Sequence, residues 1–147
     1  MRTLQRMAEG GLVRGTEGNA STRAADLIAI SPTGLAYDAL RAEDICLVTP
    51  EGELVEGPEP SVELPMHLAV LAARQDVGAV VHTHSPYATA EPPVPVAEGV
   101  SGTPELGAAV LEAAAGGNAV VIRDHGPVCF GADLAEALAR AFAIERC

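Results

Sequence analysis

The feature that most constrains this chain is a β-branched run that passes straight into two histidines. Val77-Gly78-Ala79-Val80-Val81 reads as a short buried strand and leads directly into His82-Thr83-His84. Residues i and i+2 of a strand point the same way, so His82 and His84 aim two imidazoles into one small volume. Ser85 suits a helix N-cap and Pro86 a first helical position, which puts the pair where a strand gives way to a helix. Such a pair is either two packed or surface histidines, or half of a zinc site.

The sequence has 4 histidines, and the other two are His67 and His125. His125 falls in the polar turn Asp124-His125-Gly126, between predicted strands at 119–123 and 128–130. It is either a turn residue bonded to backbone or a third imidazole, in a set that leaves a fourth position open as catalytic zinc sites require. Glu63 lies in the first turn of a helix predicted over 62–75, with Ser61 as its N-cap and Leu64, Leu68 and Leu71 on one face. A carboxylate there favours the helix dipole, or else serves as a ligand that substrate displaces and that then acts as a general base. His67, one helical turn on, could be a further ligand, but reads rather as a packing residue or one that hydrogen-bonds to a carbonyl behind the ligands.

The remaining elements follow from turn and capping residues. A helix over 1–11 places Leu4 and Met7 together and stops at Gly10-Gly11. Gly15 to Ser21 reads as a glycine-bearing loop, 27–30 as a strand, and Ser31-Pro32-Thr33-Gly34 as a turn. A short helical turn at 40–44 precedes strands near 46–49 and 53–55. The helix starting at Pro86 breaks at Glu91-Pro92-Pro93, a strand follows at 94–96, and Thr103 caps a helix over 104–115. A last helix runs from Ala132 to Cys147, with Leu134, Leu138 and Phe142 inward. Hairpin-length turns between neighbouring strands predict an α/β fold: a single three-layer domain over 1–147, with a mixed, largely antiparallel central sheet covered by helices.

Composition removes several alternatives. The net charge of −11 disfavours nucleic acid and anionic membranes as partners. All nine basic residues are arginines, so neither a Schiff-base lysine nor a phosphate-loop lysine is available. Three cysteines, Cys46, Cys129 and Cys147, are too few and too irregular for a disulfide framework. No signal peptide or long apolar run is visible, which points to a cytoplasmic protein.

Five segments then stand in the order seen in the class II aldolase/adducin family, which the chain resembles along nearly its whole length. They are Gly15-Thr16-Glu17-Gly18-Asn19-Ala20-Ser21, Ser31-Pro32-Thr33-Gly34, Pro60-Ser61-Val62-Glu63, His82 to Ala90, and Asp124-His125-Gly126. The resemblance implies a Zn2+ (or other divalent metal) site made by His82, His84, His125 and Glu63, with Glu63 as the catalytic acid–base. It implies that Asn19, Thr33, Gly34 and Ser61 bind the substrate, a sugar or sugar-phosphate. It also implies a homo-oligomer, a tetramer in the family. The chain departs from the pattern at Val62, where a second serine is usual, and at Glu17, where a small residue is usual. Ala90 passes almost at once to Glu91-Pro92-Pro93 where the family continues its helix, and the family adds a C-terminal segment beyond the match to Cys147. Those regions usually carry a tyrosine or other proton donor, to which Tyr87 does not correspond. Two functions are therefore expected in competition. One is a zinc-dependent aldolase-like lyase working through a metal-bound enediolate, with epimerase, dehydratase and decarboxylase variants of the same chemistry. The other is a non-catalytic oligomerisation domain like the adducin head.

Overall fold

The computed structural model describes residues 1–146; Cys147, the end of the last predicted helix, lies outside the described residues. In chain order the elements are α1 (Arg2–Glu9), β1 (Asn19–Ala24), β2 (Leu27–Ile30), a 3-10 turn (Ala42–Asp44), β3 (Cys46–Val48), β4 (Leu54–Glu56), α2 (Leu64–Ala73), β5 (Ala79–His82), α3 (Pro86–Ala90), β6 (Val96–Ala97), α4 (Pro104–Ala114), β7 (Ala119–Ile122), β8 (Gly126–Gly131) and α5 (Leu134–Glu145). The strands form one 8-stranded sheet in the order β4-β3-β2-β1-β5-β8-β7-β6. Every pairing is antiparallel except β6 with β7, which gives the mixed, largely antiparallel sheet expected from the short turns.

The alternation of a pleated strand sorts the helices into two layers. On β5, Val80 packs with Met66 and Val70 of α2 and with Leu106 and Val110 of α4. Its neighbour Val81 faces the other way, among Leu4 and Met7 of α1, Ala88 of α3 and Leu138 and Ala141 of α5. His82 comes next after Val81, so it shares the α2 side with Val80 and is fully buried there. Among the described residues, no helix is long and apolar enough to cross a membrane.

Three local expectations are corrected. The segment read as a loop through Ser21 contains the start of β1, whose Asn, Ser, Thr and Arg side chains carry no apolar alternation to betray a strand. It is held by pairing on both sides, with Asn19 opposite His82 and Ser21 opposite both Val80 and Ile30. Helix α2 begins at Leu64, not Val62, and its N-cap position is Glu63, not Ser61. Residues 61–63 form a tight turn, with the Leu64 amide bonded to the Ser61 carbonyl, and Pro65 occupies the first helical turn where a missing N–H costs nothing. The buried face of α2 is Met66, His67, Val70 and Leu71, while Leu64 and Leu68 sit at its margin. Strand β6 is shifted to Val96–Ala97, because Pro93 and Pro95 bring no N–H to a ladder.

Phe130 of β8 is fully buried in the layer shared with α2 and α4. Phe130→Ala is expected to lower unfolding free energy by about 3–5 kcal/mol in a urea titration, the usual cost of emptying such a site. A loss below about 1 kcal/mol would contradict the assigned core.

Candidate metal centre and substrate cleft

Helix α2 and strand β1 each present two polar residues to the other. On β1, Asn19 and Ser21 are two apart and face the same way; on the start of α2, Glu63 and His67 are one helical turn apart. The four side chains are joined by hydrogen bonds from Ser21 through His67 and Asn19 to Glu63, all buried. Glu63 occupies the N-cap position, but its side chain makes no capping bond. Its Oε2 accepts from Asn19 Nδ2 at 2.8 Å and its Oε1 from Ser101 Oγ at 2.7 Å.

The imidazoles close on this carboxylate from the far side. His82 ends β5, His84 lies just beyond it, and His125 sits in the turn between β7 and β8, with ring centroids 4.5–5.0 Å apart. Gly126 makes that approach possible: a Cβ there would stand 1.9 Å from the Thr83 carbonyl oxygen, so any larger residue pushes His125 away from His82 and His84. Gly18 serves the same end with a φ of +69° and its Cα backed against the His82 carbonyl, 2.7 Å from where a Cβ would be.

One atom of each of Glu63, His82, His84 and His125 falls in a cluster with mutual separations within 4.8 Å. The Nδ1–H of His82 donates to the Pro127 carbonyl at 2.9 Å, so Nε2 carries the lone pair of a neutral ring. That lone pair faces Glu63 Oε2 at 3.1 Å and His125 Nε2 at 3.4 Å. Two electron-rich atoms at such a distance repel unless a cation lies between them. Ligands on a tetrahedral zinc lie roughly 3.3 Å apart at ~2.0–2.1 Å from the ion, which matches these spacings. The donor set of three imidazoles and a carboxylate fits a divalent ion of borderline softness, zinc among them.

Electrostatics point the same way. Burial opposes ionisation of Glu63, but the His82 ring, the bonds from Ser101 and Asn19, and His125 outweigh it and bring its pKa down to about 2. Burial brings His82 down to about 3 and His67 to about 4, in both cases against the attraction of Glu63. Burial, with His125 next, also lowers His84. At neutral pH Glu63 therefore offers a carboxylate and His82 and His84 neutral imidazoles, the protonation state a metal needs.

A cleft opens on this cluster. It is lined by Thr16, Glu17, Gly18, Asn19, Pro32, Thr33, Gly34, Ser61, Val62, Glu63, His84, Ser101 and His125. All four residues expected to hold substrate, Asn19, Thr33, Gly34 and Ser61, thus border one space. The turn at 31–34 is tied to 59–61 by a Pro32–Pro60 bridge, with the Ser61 amide on the Ser31 carbonyl and the Thr33 amide on that of Glu59. Among the described residues, no arginine lines the cleft, so an anionic group would rely on backbone amides and hydroxyls. The Glu17 carboxylate also borders it, 3.9 Å from His84 Nδ1. Two contacts go beyond the sequence reading. Asn19 spends an amide proton on Glu63, and Ser101, absent from the sequence reading, holds the other carboxylate oxygen. The sequence signal for Ser101 was slight: a serine within Gly99-Val100-Ser101-Gly102, just before the Thr103 cap.

The sequence matches the family described as Class II Aldolase and Adducin N-terminal domain over residues 1–91 and 90–147, and the chain belongs to it. It is 37% identical over 155 residues to a 5-methylthioribulose-1-phosphate/5-deoxyribulose-1-phosphate aldolase of Rhodospirillum rubrum, covering 92% of this chain and 70% of the relative. It is 35% identical over 152 residues to an L-fuculose phosphate aldolase of Methanococcus maripaludis, covering 90% and 83%. A 5-deoxy-D-ribulose 1-phosphate aldolase of Bacillus thuringiensis is 47% identical over 87 residues, which are 57% of this chain and 41% of the relative. Among solved structures, an L-fuculose 1-phosphate aldolase superposes with a TM-score of 0.94 at 30% identity, covering 99% of this chain and 79% of that one. The family match divides at 90–91, where the sequence turns to Glu91-Pro92-Pro93.

The pKa values predict an acid-labile fold. His67 and His82 are held below their ordinary value of 6.5, so the folded state binds fewer protons than the unfolded one and stability falls as pH drops below 6.5. His67 alone, at about 4 when folded, accounts for roughly 3 kcal/mol lost between pH 7 and pH 4. Urea titrations of metal-free protein across that range would show it. A free energy that stays flat or rises on acidification would contradict the buried neutral histidines.

Proposed function

We propose that this chain is a divalent-metal-dependent lyase that cleaves a carbon–carbon bond of a ketose or ketose phosphate. The single observation that carries the reading is the ionised Glu63 facing the lone pair of His82 at 3.1 Å, within a cluster completed by His84 and His125. The aldolase names of the relatives support the reaction class and the sugar-phosphate chemistry of the substrate. His82, His84, His125 and Glu63 would hold the metal, zinc by their donor chemistry. When bound it supplies Lewis-acid polarisation of a substrate carbonyl and stabilises negative charge on oxygen as the bond parts.

The protein's own groups do the rest. Asn19, Thr33, Gly34 and Ser61 orient the substrate chain in the cleft. Were Glu63 to part from His82 and Ser101 as substrate enters the cleft, burial would be less opposed and its carboxylate would become a stronger base. As the carbon–carbon bond breaks, the hydroxyl on the carbon that becomes the aldehyde loses its proton, and Glu63 would pass a proton to the carbon that keeps the electron pair, so that no net proton is gained or lost. Epimerisation, dehydration and decarboxylation would use the same group, and the released product separates them: only aldol cleavage gives a free aldehyde. The interior departure at Glu91-Pro92-Pro93 favours a second, non-catalytic reading as an assembly domain, against which stands the converging ligand set.

The test is aldehyde release from 5-deoxyribulose 1-phosphate and L-fuculose 1-phosphate by zinc-loaded protein. Glu63→Gln is expected to lower kcat by about 100-fold or more. Undiminished turnover in Glu63→Gln would contradict the assigned role, and no turnover in the parent would favour the assembly domain.

A further inference from the structure

We propose that His67 is a positioning residue for Glu63, acting through Asn19; this rests on Glu63 being a metal ligand and proton-transfer group. Ser21 Oγ lies 2.7 Å from His67 Nδ1, His67 Nε2 lies 2.5 Å from Asn19 Oδ1, and Asn19 Nδ2 lies 2.8 Å from Glu63 Oε2. An amide oxygen only accepts, so His67 Nε2 carries the proton. A neutral ring protonated there has an acceptor at Nδ1, so the Ser21 hydroxyl donates to it. The direction is therefore fixed from end to end: Ser21 O–H to His67, His67 N–H to Asn19, Asn19 N–H to Glu63.

Each link has one consequence. Asn19 Oδ1 selects the tautomer of His67, and the Ser21 hydroxyl satisfies and orients its unprotonated Nδ1. His67 then fixes the plane of the Asn19 amide, and with it the donor that meets Glu63 Oε2. That same oxygen is the one closest to His82 Nε2, so the relay aims the carboxylate atom that faces the imidazoles. Filling space does not require this arrangement. His67 is wholly buried between β1 and α2, where an apolar side chain would pack without desolvating an imidazole. Removing the His67 donor leaves Asn19 Oδ1 buried and unpaired and frees the amide to turn.

His67→Leu and His67→Gln separate positioning from packing, because glutamine keeps an N–H within reach of the Nε2 position. Zn2+ affinity is measured by competition with a chromophoric chelator, and carboxylate ligation by the visible spectrum of Co2+-loaded protein. His67→Leu is expected to lower Zn2+ affinity about 10–100-fold and to shift the Co2+ bands, as losing a group behind a ligand does elsewhere. His67→Gln is expected to stay close to the parent in both. Exchange of the Asn19 side-chain amide protons, followed by NMR in metal-free protein, should be slow in the parent and His67→Gln and fast in His67→Leu. Parent-like affinity and an unchanged Co2+ spectrum in His67→Leu would overturn the proposal, leaving His67 as packing alone. So would equal losses in both variants. Should His67→Leu not fold, His67→Met, which also lacks the N–H donor, carries the test, and an Asn19 amide as protected as in the parent would overturn the relay. A parent that shows the expected ranking but cleaves no ketose overturns the proposed reaction and not the relay. A parent without Zn2+ affinity overturns the metal reading, and the amide-exchange ranking then decides the relay by itself.

Discussion

His82 Nε2 and Glu63 Oε2 stand 3.1 Å apart, and much of the surrounding structure maintains that contact. The Pro127 carbonyl claims the proton of His82 on its other nitrogen. Burial keeps the ring from taking up a second one, while Asn19 and Ser101 keep the carboxylate ionised. An apolar packing of the same volume would be more stable in the absence of a cation. A bound divalent ion would recover that cost, since its binding free energy would then count toward folding.

The sheet supplies the precision that such a contact needs. The pairing of β1 with β5 sets Asn19 directly opposite His82, and α2 lies across that face, so Glu63 and His67 meet Asn19 and Ser21. The candidate ligands thus come from a strand end, a helix start and a turn, all anchored in regular structure. Chain segments that close the site do so through contacts too tight for any side chain, as at Gly126 against Thr83 and Gly18 against His82. The helix α3, which leads away from His84, is held by the Glu145 carboxylate of α5 on the amides of Tyr87 and Ala88.

The parts visible in the sequence were those with local signatures. The β-branched run before His82, the turn around His125 and the proximity of Glu63 and His67 on one helical turn all follow from spacing within a few residues. Strand β1 did not, because its residues serve the site and carry no apolar alternation; its strand state comes from pairing with β2 and β5, the latter far away in sequence. Ser61 looked like a cap because serine before a helix usually is one, whereas the turn at 61–63 moves the helix start to Leu64. Ser101 reaches Glu63 from a loop 38 residues on, a contact that only the docking of α4 against α2 produces.

In the proposed reading these four side chains hold a divalent ion. Metal content per chain, measured by mass spectrometry on protein purified without chelator, tests it most directly, together with His82→Ala and His125→Ala. The account predicts about one zinc per chain in the parent and loss of it in both variants. A folded parent with no metal, or metal retained in both variants, would contradict it.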